Sequence, residues 1–199
     1  MLRSTLSLAA AVALLGGCAS TAQPVPSANA TPVKIEVMPS EALAFRANNL
    51  PDRSGSRRLR SGFANGGFLG EDAVEELVEE TREELVQDLT NAGFAVSDTA
   101  ATTIRVVIED AKNNRPTFRQ LSEEPSLAFD SFGVGGAELR ADIIGASGEQ
   151  LGTVDYRWFD NFDGDGFDRA VGTWTDAYRA ISRFSDKTTD ALRDAYRLG

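Results

Sequence analysis

Apolar and charged residues alternate through Val33-Lys34-Ile35-Glu36-Val37, the period of a half-buried strand. After residue 70 the period changes. Val74, Leu77, Val78, Thr81, Leu85, Leu89 and Ala92 recur at spacings of three and four, which predicts an amphipathic helix over 71–91. Gly93 suits the left-handed residue that ends such a helix. Alternation returns briefly at 94–97 and more clearly at 103–110, where Ile104, Val106 and Ile108 face away from Arg105 and Glu109. A long strand is predicted over 129–144, with Ala137, Leu139, Ala141 and Ile143 on one face and Gly133, Gly135 and Gly136 marking a bulge. Ala146-Ser147-Gly148-Glu149 reads as a turn, and 150–160 returns as the hairpin partner with Val154, Tyr156 and Trp158 inward. Glu138, Arg140 and Asp142 are then placed to pair with Asp155 and Arg157, which helps to set register. Val171, Trp174, Tyr178, Ile181, Phe184, Thr188, Leu192 and Ala195 form the stripe of a last helix over 170–198. Residues 40–70 and 111–127 show no such period and are expected to be irregular.

The predicted order is β-α-β-β-β-β-α. Meander strands beside helices that must each bury one face give an α+β two-layer sandwich. The sheet is expected to have four to five strands, mainly antiparallel, with two packed helices. One domain over 33–199 accounts for the pattern. Residues 19–32, small, polar and proline-bearing, read as a flexible tether.

The N-terminus carries a different signal. Arg3 precedes an apolar run over 6–15, which is shorter than the about 20 residues needed to span a bilayer but suits a secretory leader. Leu15-Gly16-Gly17-Cys18 follows, and Cys18 is the only cysteine. This resembles the bacterial lipobox. The resemblance implies cleavage after residue 17, a diacylglyceryl group on the Cys18 sulfur and acylation of its amine, so that 1–17 is a signal peptide and 18–32 an acylated, flexible N-terminus. Ala19 and Ser20 follow the cysteine where an Asp would signal retention in the inner membrane, which implies sorting to the outer membrane, with the body in the periplasm or at the cell surface. The alternative is an ordinary signal peptide with an incidental cysteine. One acyl chain binds a bilayer marginally, at about 0.8 kcal/mol per buried CH₂, whereas two or three anchor it firmly.

The segment ending NAGF, the strand TTIRVVIED and the hairpin AELRADIIGASGEQLGTVDYRW before a long amphipathic helix look like a broad group of envelope lipoproteins. That group includes small α/β domains of unknown function and, more distantly, the curli-secretion and penicillin-binding-protein-activator lipoproteins. The resemblance implies an accessory or assembly role and carries over no active site.

Composition narrows the chemistry. Formal net charge is −10, which argues against nucleic acid as the main partner. The chain has no histidine, which removes imidazole acid–base work, Ser-His-Asp triads and His-ligated zinc. Enzyme chemistry would have to rest on carboxylates, Tyr, Lys or hydroxyls; glycoside hydrolysis needs a carboxylate pair, and no acidic residue stands isolated in an apolar setting. A non-enzymatic protein that binds another envelope component is the expectation, with no cofactor beyond the covalent lipid.

Two features offer alternatives. In the 160–168 loop, Asn161, Asp163, Asp165 and Gly166 match the first, third, fifth and sixth positions of a calcium loop, with Asp168 or Asp176 as a substitute for the missing last ligand. Gly172 stands where the bidentate Glu of such a loop belongs, so the competing reading is an acidic turn before the helix. A calcium- or carbohydrate-binding module using this loop is therefore the second expectation. Tyr156, Trp158, Trp174 and Tyr178 have the residue types of a sugar groove, although their inward phase favours the core. Arg46, Arg53, Arg57, Arg58 and Arg60 crowd one segment and form a candidate surface for a partner or for anionic headgroups, at about 1 kcal/mol each. The helix over 71–91 carries the opposite charge, with Arg82 its only cation.

Overall fold

In the computed structural model, which describes residues 31–49, 68–160 and 172–198, the alternating N-terminal segment forms β1 (Pro32–Pro39). It is followed by α1 (Glu41–Asn48), α2 (Glu71–Asn91), β2 (Ala95–Val96), β3 (Thr102–Lys112), α3 (Phe118–Glu123), β4 (Gly136–Ile144), β5 (Gln150–Phe159) and α4 (Thr175–Leu198). The five strands form one open sheet in the order β2-β1-β3-β4-β5. β1 runs parallel to both β2 and β3, whereas β3-β4-β5 is an antiparallel meander. The fold is α+β. The parallel pairs arise because α2 carries the chain back along the sheet between β1 and β2, as a crossover between parallel strands requires.

α2 and α4 cover one face. Val74, Leu77, Thr81, Leu85 and Leu89 of α2 are buried, and the apolar ones share one core with Val33 and Ile35 of β1, Ile104, Val106 and Ile108 of β3, and Leu139 and Ile143 of β4. Trp174, Ile181, Phe184 and Leu192 complete this core from the α4 side. Each fully buried side chain of this size contributes about 1.5–3 kcal/mol. Thr81 and Thr188 sit in the buried stripes because each hydroxyl donates to the carbonyl four residues back, Leu77 at 2.7 Å and Phe184 at 2.9 Å.

The other face of the sheet is charged and patterned. Glu36 pairs with Lys34 (2.7 Å) and Arg105 (3.4 Å), Arg140 with Asp155 (3.6 Å), and Arg157 with Glu138 (3.6 Å). Register places Arg105 opposite Asp142, Arg140 opposite Asp155 and Glu138 opposite Arg157.

Four boundaries differ from the sequence expectation. Residues 40–70 contain α1, capped by the Ser40 hydroxyl, which accepts from the Leu43 amide (3.2 Å). Residues 111–127 contain α3, opened by a capping box in which Thr117 and Gln120 satisfy each other's backbone amides. The strand predicted over 129–144 begins only at Gly136, because Gly133 before it bonds to Asn114 and not to a neighbouring strand. The last helix starts at Thr175. Among the described residues, no helix is long and apolar enough to cross a membrane.

Candidate functional site

The parallel strands decide where a site can form. β1 and β3 end on the same side, so the chain after α1, the 113–135 connection and the chain after β5 all gather there. The opposite end has short links: 92–94, 97–101 and the 145–149 turn. An open cleft of about 740 Å³ lies at the end with long connections, beyond the carboxyl ends of the parallel strands. Open α/β sheets commonly place ligands there.

The cleft floor is Trp174, 1% exposed, whose indole N–H has no hydrogen-bond partner. One wall is the first turns of α2, with Glu71, Asp72 and Glu76. Gly70 caps α2 without a side-chain bond, and the acidic first turn meets the positive end of the helix dipole. Arg115 and Arg119 line the opposite side. Arg119 lies over the Phe68 ring (4.6 Å) and pairs with Glu123 (3.2 Å). At the lip Phe118 and Phe129 meet edge to face at 6.3 Å, yet are 84% and 73% exposed.

A buried polar latch holds this end together. The Asn114 side-chain amide donates to Gly133 O (3.2 Å) and to the Asp176 carboxylate, and its oxygen accepts from the Asp176 backbone amide (2.9 Å). The Asn114 backbone amide donates to Thr173 O (2.7 Å), and its carbonyl accepts from Gly133 N (2.9 Å). Asp176 is 1% exposed and also accepts from Arg179 (2.8 Å). Next to it, Asn113 donates to Gln120 Oε1 (2.7 Å), and Thr117 Oγ1 donates to Leu69 O (2.7 Å). These bonds join the 113–120 connection to the residue preceding Gly70 and to the start of α4. A side chain at Gly135 would collide with the Asn114 amide, so the packing there requires glycine.

Electrostatics along α2 are unfavourable in one place. Partial burial, then Glu84, Glu83 and Glu76, push the Glu80 carboxyl above its ordinary range. Tyr178 of α4 donates to Glu76 (2.6 Å). Its phenol is held above its ordinary range by burial first and by this bond to Glu76 second.

Of the residues singled out in the sequence, Arg46 lies on α1, where its guanidinium pairs with Asp110 and donates to Ala111 O (2.9 Å). It ties α1 to the end of β3. Cys18, Arg53, Arg57, Arg58, Arg60, Asn161, Asp163, Asp165 and Asp168 lie outside the described residues. Among the described residues, no group of three or more His, Cys, Asp or Glu is placed to hold a metal ion. Trp174 belongs to the core, and Tyr156, Trp158 and Tyr178 pack against it. Arg82, the lone cation of α2, donates to Ile35 O (3.0 Å) and faces Asp98 (3.5 Å). The latch residues Asn113 and Asn114 carry no periodic signal and escaped the sequence reading, while Asp176, a candidate calcium ligand in the sequence, is buried and engaged with Asn114 and Arg179. The Thr117-Phe118-Arg119-Gln120 spacing did carry one, the capping-box pattern.

No family model and no curated protein matches the chain. Several solved structures are similar to it, two among them as follows. One is protein XCC0632 from Xanthomonas campestris, of the family DUF330, with a TM-score of 0.46 and 8% identity over 87% of this chain and 89% of that one. The other is a neuraminyllactose-binding hemagglutinin homolog from Helicobacter pylori, with a TM-score of 0.31 and 12% identity over 89% of this chain and 87% of that one.

Proposed function

We propose that this chain is a lipid-anchored protein of the bacterial cell envelope, tethered to the outer membrane through Cys18, whose α+β body binds another envelope component and performs no catalysis. The observation that carries the anchor is the Leu15-Gly16-Gly17-Cys18 box, which places the only cysteine at the end of the apolar leader. The observation that favours binding is the Phe118–Phe129 pair, an exposed aromatic surface beside a cleft. Exposed aromatic surface of this kind commonly marks a contact site. The cleft's carboxylates favour binding over catalysis. Glu71, Asp72 and Glu76 are all exposed to solvent. A catalytic acid needs the reverse, an apolar setting that keeps its proton.

The test has two arms. The full chain from its native host is expected to show acyl mass on a mature N-terminal Cys18 and to enter the detergent phase, while Cys18→Ser stays unacylated. A free thiol at Cys18 in the native protein would overturn the anchor. Photocrosslinkers at positions 118 and 129 are expected to capture one and the same envelope component in cells, and Phe118→Ala with Phe129→Ala to abolish its copurification with a body that still folds. Unchanged copurification would overturn the contact site.

A further inference from the structure

We propose that two copies of this chain join through the outer edge of β5, aligned antiparallel about Tyr156, so that two five-stranded sheets become one. β5 is the terminal strand of the sheet and runs for ten residues, whereas the opposite edge, β2, has two. Among the described residues, no backbone hydrogen bond crosses the outer side of β5. Natural sheets blunt such edges with short strands, prolines or bulges. β5 has no proline, and its register with β4 runs without a shift from Gly152 to Phe159.

Backbone geometry restricts the alignment. Asp160 N donates to Gly135 O (2.9 Å), and Asp160 and Gly135 continue the β4–β5 register. Backbone groups alternate sides along an antiparallel strand. The even-numbered residues of β5 therefore bond to β4, and Thr153, Asp155, Arg157 and Phe159 direct their amides and carbonyls outward. A second β5 can bond only through the same odd positions. Centring on Asp155 or on Arg157 sets like charges opposite each other. Centring on Tyr156 sets Asp155 opposite Arg157 of the other copy, and Arg157 opposite its Asp155.

That alignment continues the charge pattern of the open face. Arg140 and Asp155 form one row and Glu138 and Arg157 the next. The next strand must offer a cation beside Asp155 and an anion beside Arg157, and the reversed copy of β5 does both. On the helix face it places Val154 opposite Trp158, an aromatic–β-branched pair of the kind that stabilises sheets. Tyr156 and Trp158 are only partly buried, capped by Lys187 (5.7 Å) and Arg183 (5.3 Å) of α4. The second copy would cover them from the open side.

The experiment is sedimentation of the full-length, detergent-solubilised protein, with detergent mass matched out, for wild type, Asp155→Arg, Arg157→Asp and an equal mixture of the two variants. Wild type is expected at twice the monomer mass. Each variant alone sets like charges together at both ends of the joint and is expected at monomer mass. The mixture restores Arg opposite Asp at both ends and is expected to return to the dimer. Circular dichroism checks that each variant folds. If a variant fails to fold, slow amide exchange at Asp155 and Arg157 in wild type, accelerating on dilution, reads the same joint. A monomeric wild type, single variants that remain dimeric, or a mixture that stays monomeric would each overturn the proposal.

Discussion

Asn114 and Asp176 grip each other twice: the Asn114 amide donates to the Asp176 carboxylate, and the Asp176 backbone amide donates back to the Asn114 oxygen at 2.9 Å. Both side chains are buried, and this pair fixes the chain after β3 to the first turn of α4. Removing one partner leaves a buried carboxylate short of a donor, which costs about 1–3 kcal/mol and more for a charged group. Asn114→Ala is therefore expected to lower the unfolding free energy by about 3 kcal/mol, measured by urea denaturation. Asn114→Asp, which sets two carboxylates together, is expected to be worse. A loss within experimental error for Asn114→Ala would mean that the latch is not what holds this end.

The latch also shows where sequence reading stops. Inward positions such as Ile104, Val106, Leu139 and Val154 follow from a period of two, and the Arg140–Asp155 and Glu138–Arg157 pairs follow from their hairpin register. Periodicity reports burial of apolar side chains and is blind to buried polar ones. Asn114 pairs with a residue 62 positions away, and nothing local distinguishes it from a loop asparagine. The α1 helix was lost for another reason. At eight residues, with a weak apolar face and only Leu43 and Ala47 buried, it is held by its Ser40 cap and by Arg46 more than by a stripe. The parallel pairing of β1 with β2 and β3 was also hidden, since alternation fixes a strand's face and not its neighbour.

Arg46 was a candidate contact for a partner or for lipid phosphates, but its guanidinium is engaged with Asp110 and the Ala111 carbonyl. Its fork geometry serves both acceptors at once, which a lysine ammonium does less well. Arg46→Ala is expected to destabilise the body by about 1–2 kcal/mol, in the range of hydrogen bonds to charged groups. Arg46→Lys should recover part of that. Thermal melting checks both, and amide exchange in α1 should accelerate in parallel with the loss.

Glu80 sits between Glu76 and Glu84 on the same helical face, and its carboxyl is held above the ordinary range. The folded state thus binds this proton more tightly than the unfolded state. Stability falls as pH rises from the ordinary glutamate value of 4.5 through the raised folded value, and the penalty is complete above it. Glu80→Gln removes the penalty. Its gain at pH 7 is expected to be a few tenths to about 1 kcal/mol, the scale of like-charge pairs at helical spacing. The gain should vanish in acid, where both states are protonated. Melting curves of both proteins across pH 3–8 test this, and a benefit that persists unchanged in acid would show a cause other than charge.

Gly136 opens β4 with φ +147, a conformation that side chains rarely adopt. A methyl group there would also overlap the Trp158 carbonyl oxygen and the Phe159 backbone, which belong to the strand it pairs with. Strain and overlap act together, and neither neighbour is a flexible side-chain tip that can move aside. Gly136→Ala is expected to cost more than about 2 kcal/mol, with protection lost first at the β4–β5 end beside the cleft. Gly148→Ala is the control. It shares a positive φ of 86 but meets nothing within 4 Å, so it should cost only the backbone strain, about 1 kcal/mol. Equal losses for the two variants in urea denaturation would show that close approach to β5 contributes nothing and that backbone conformation alone selects glycine at Gly136.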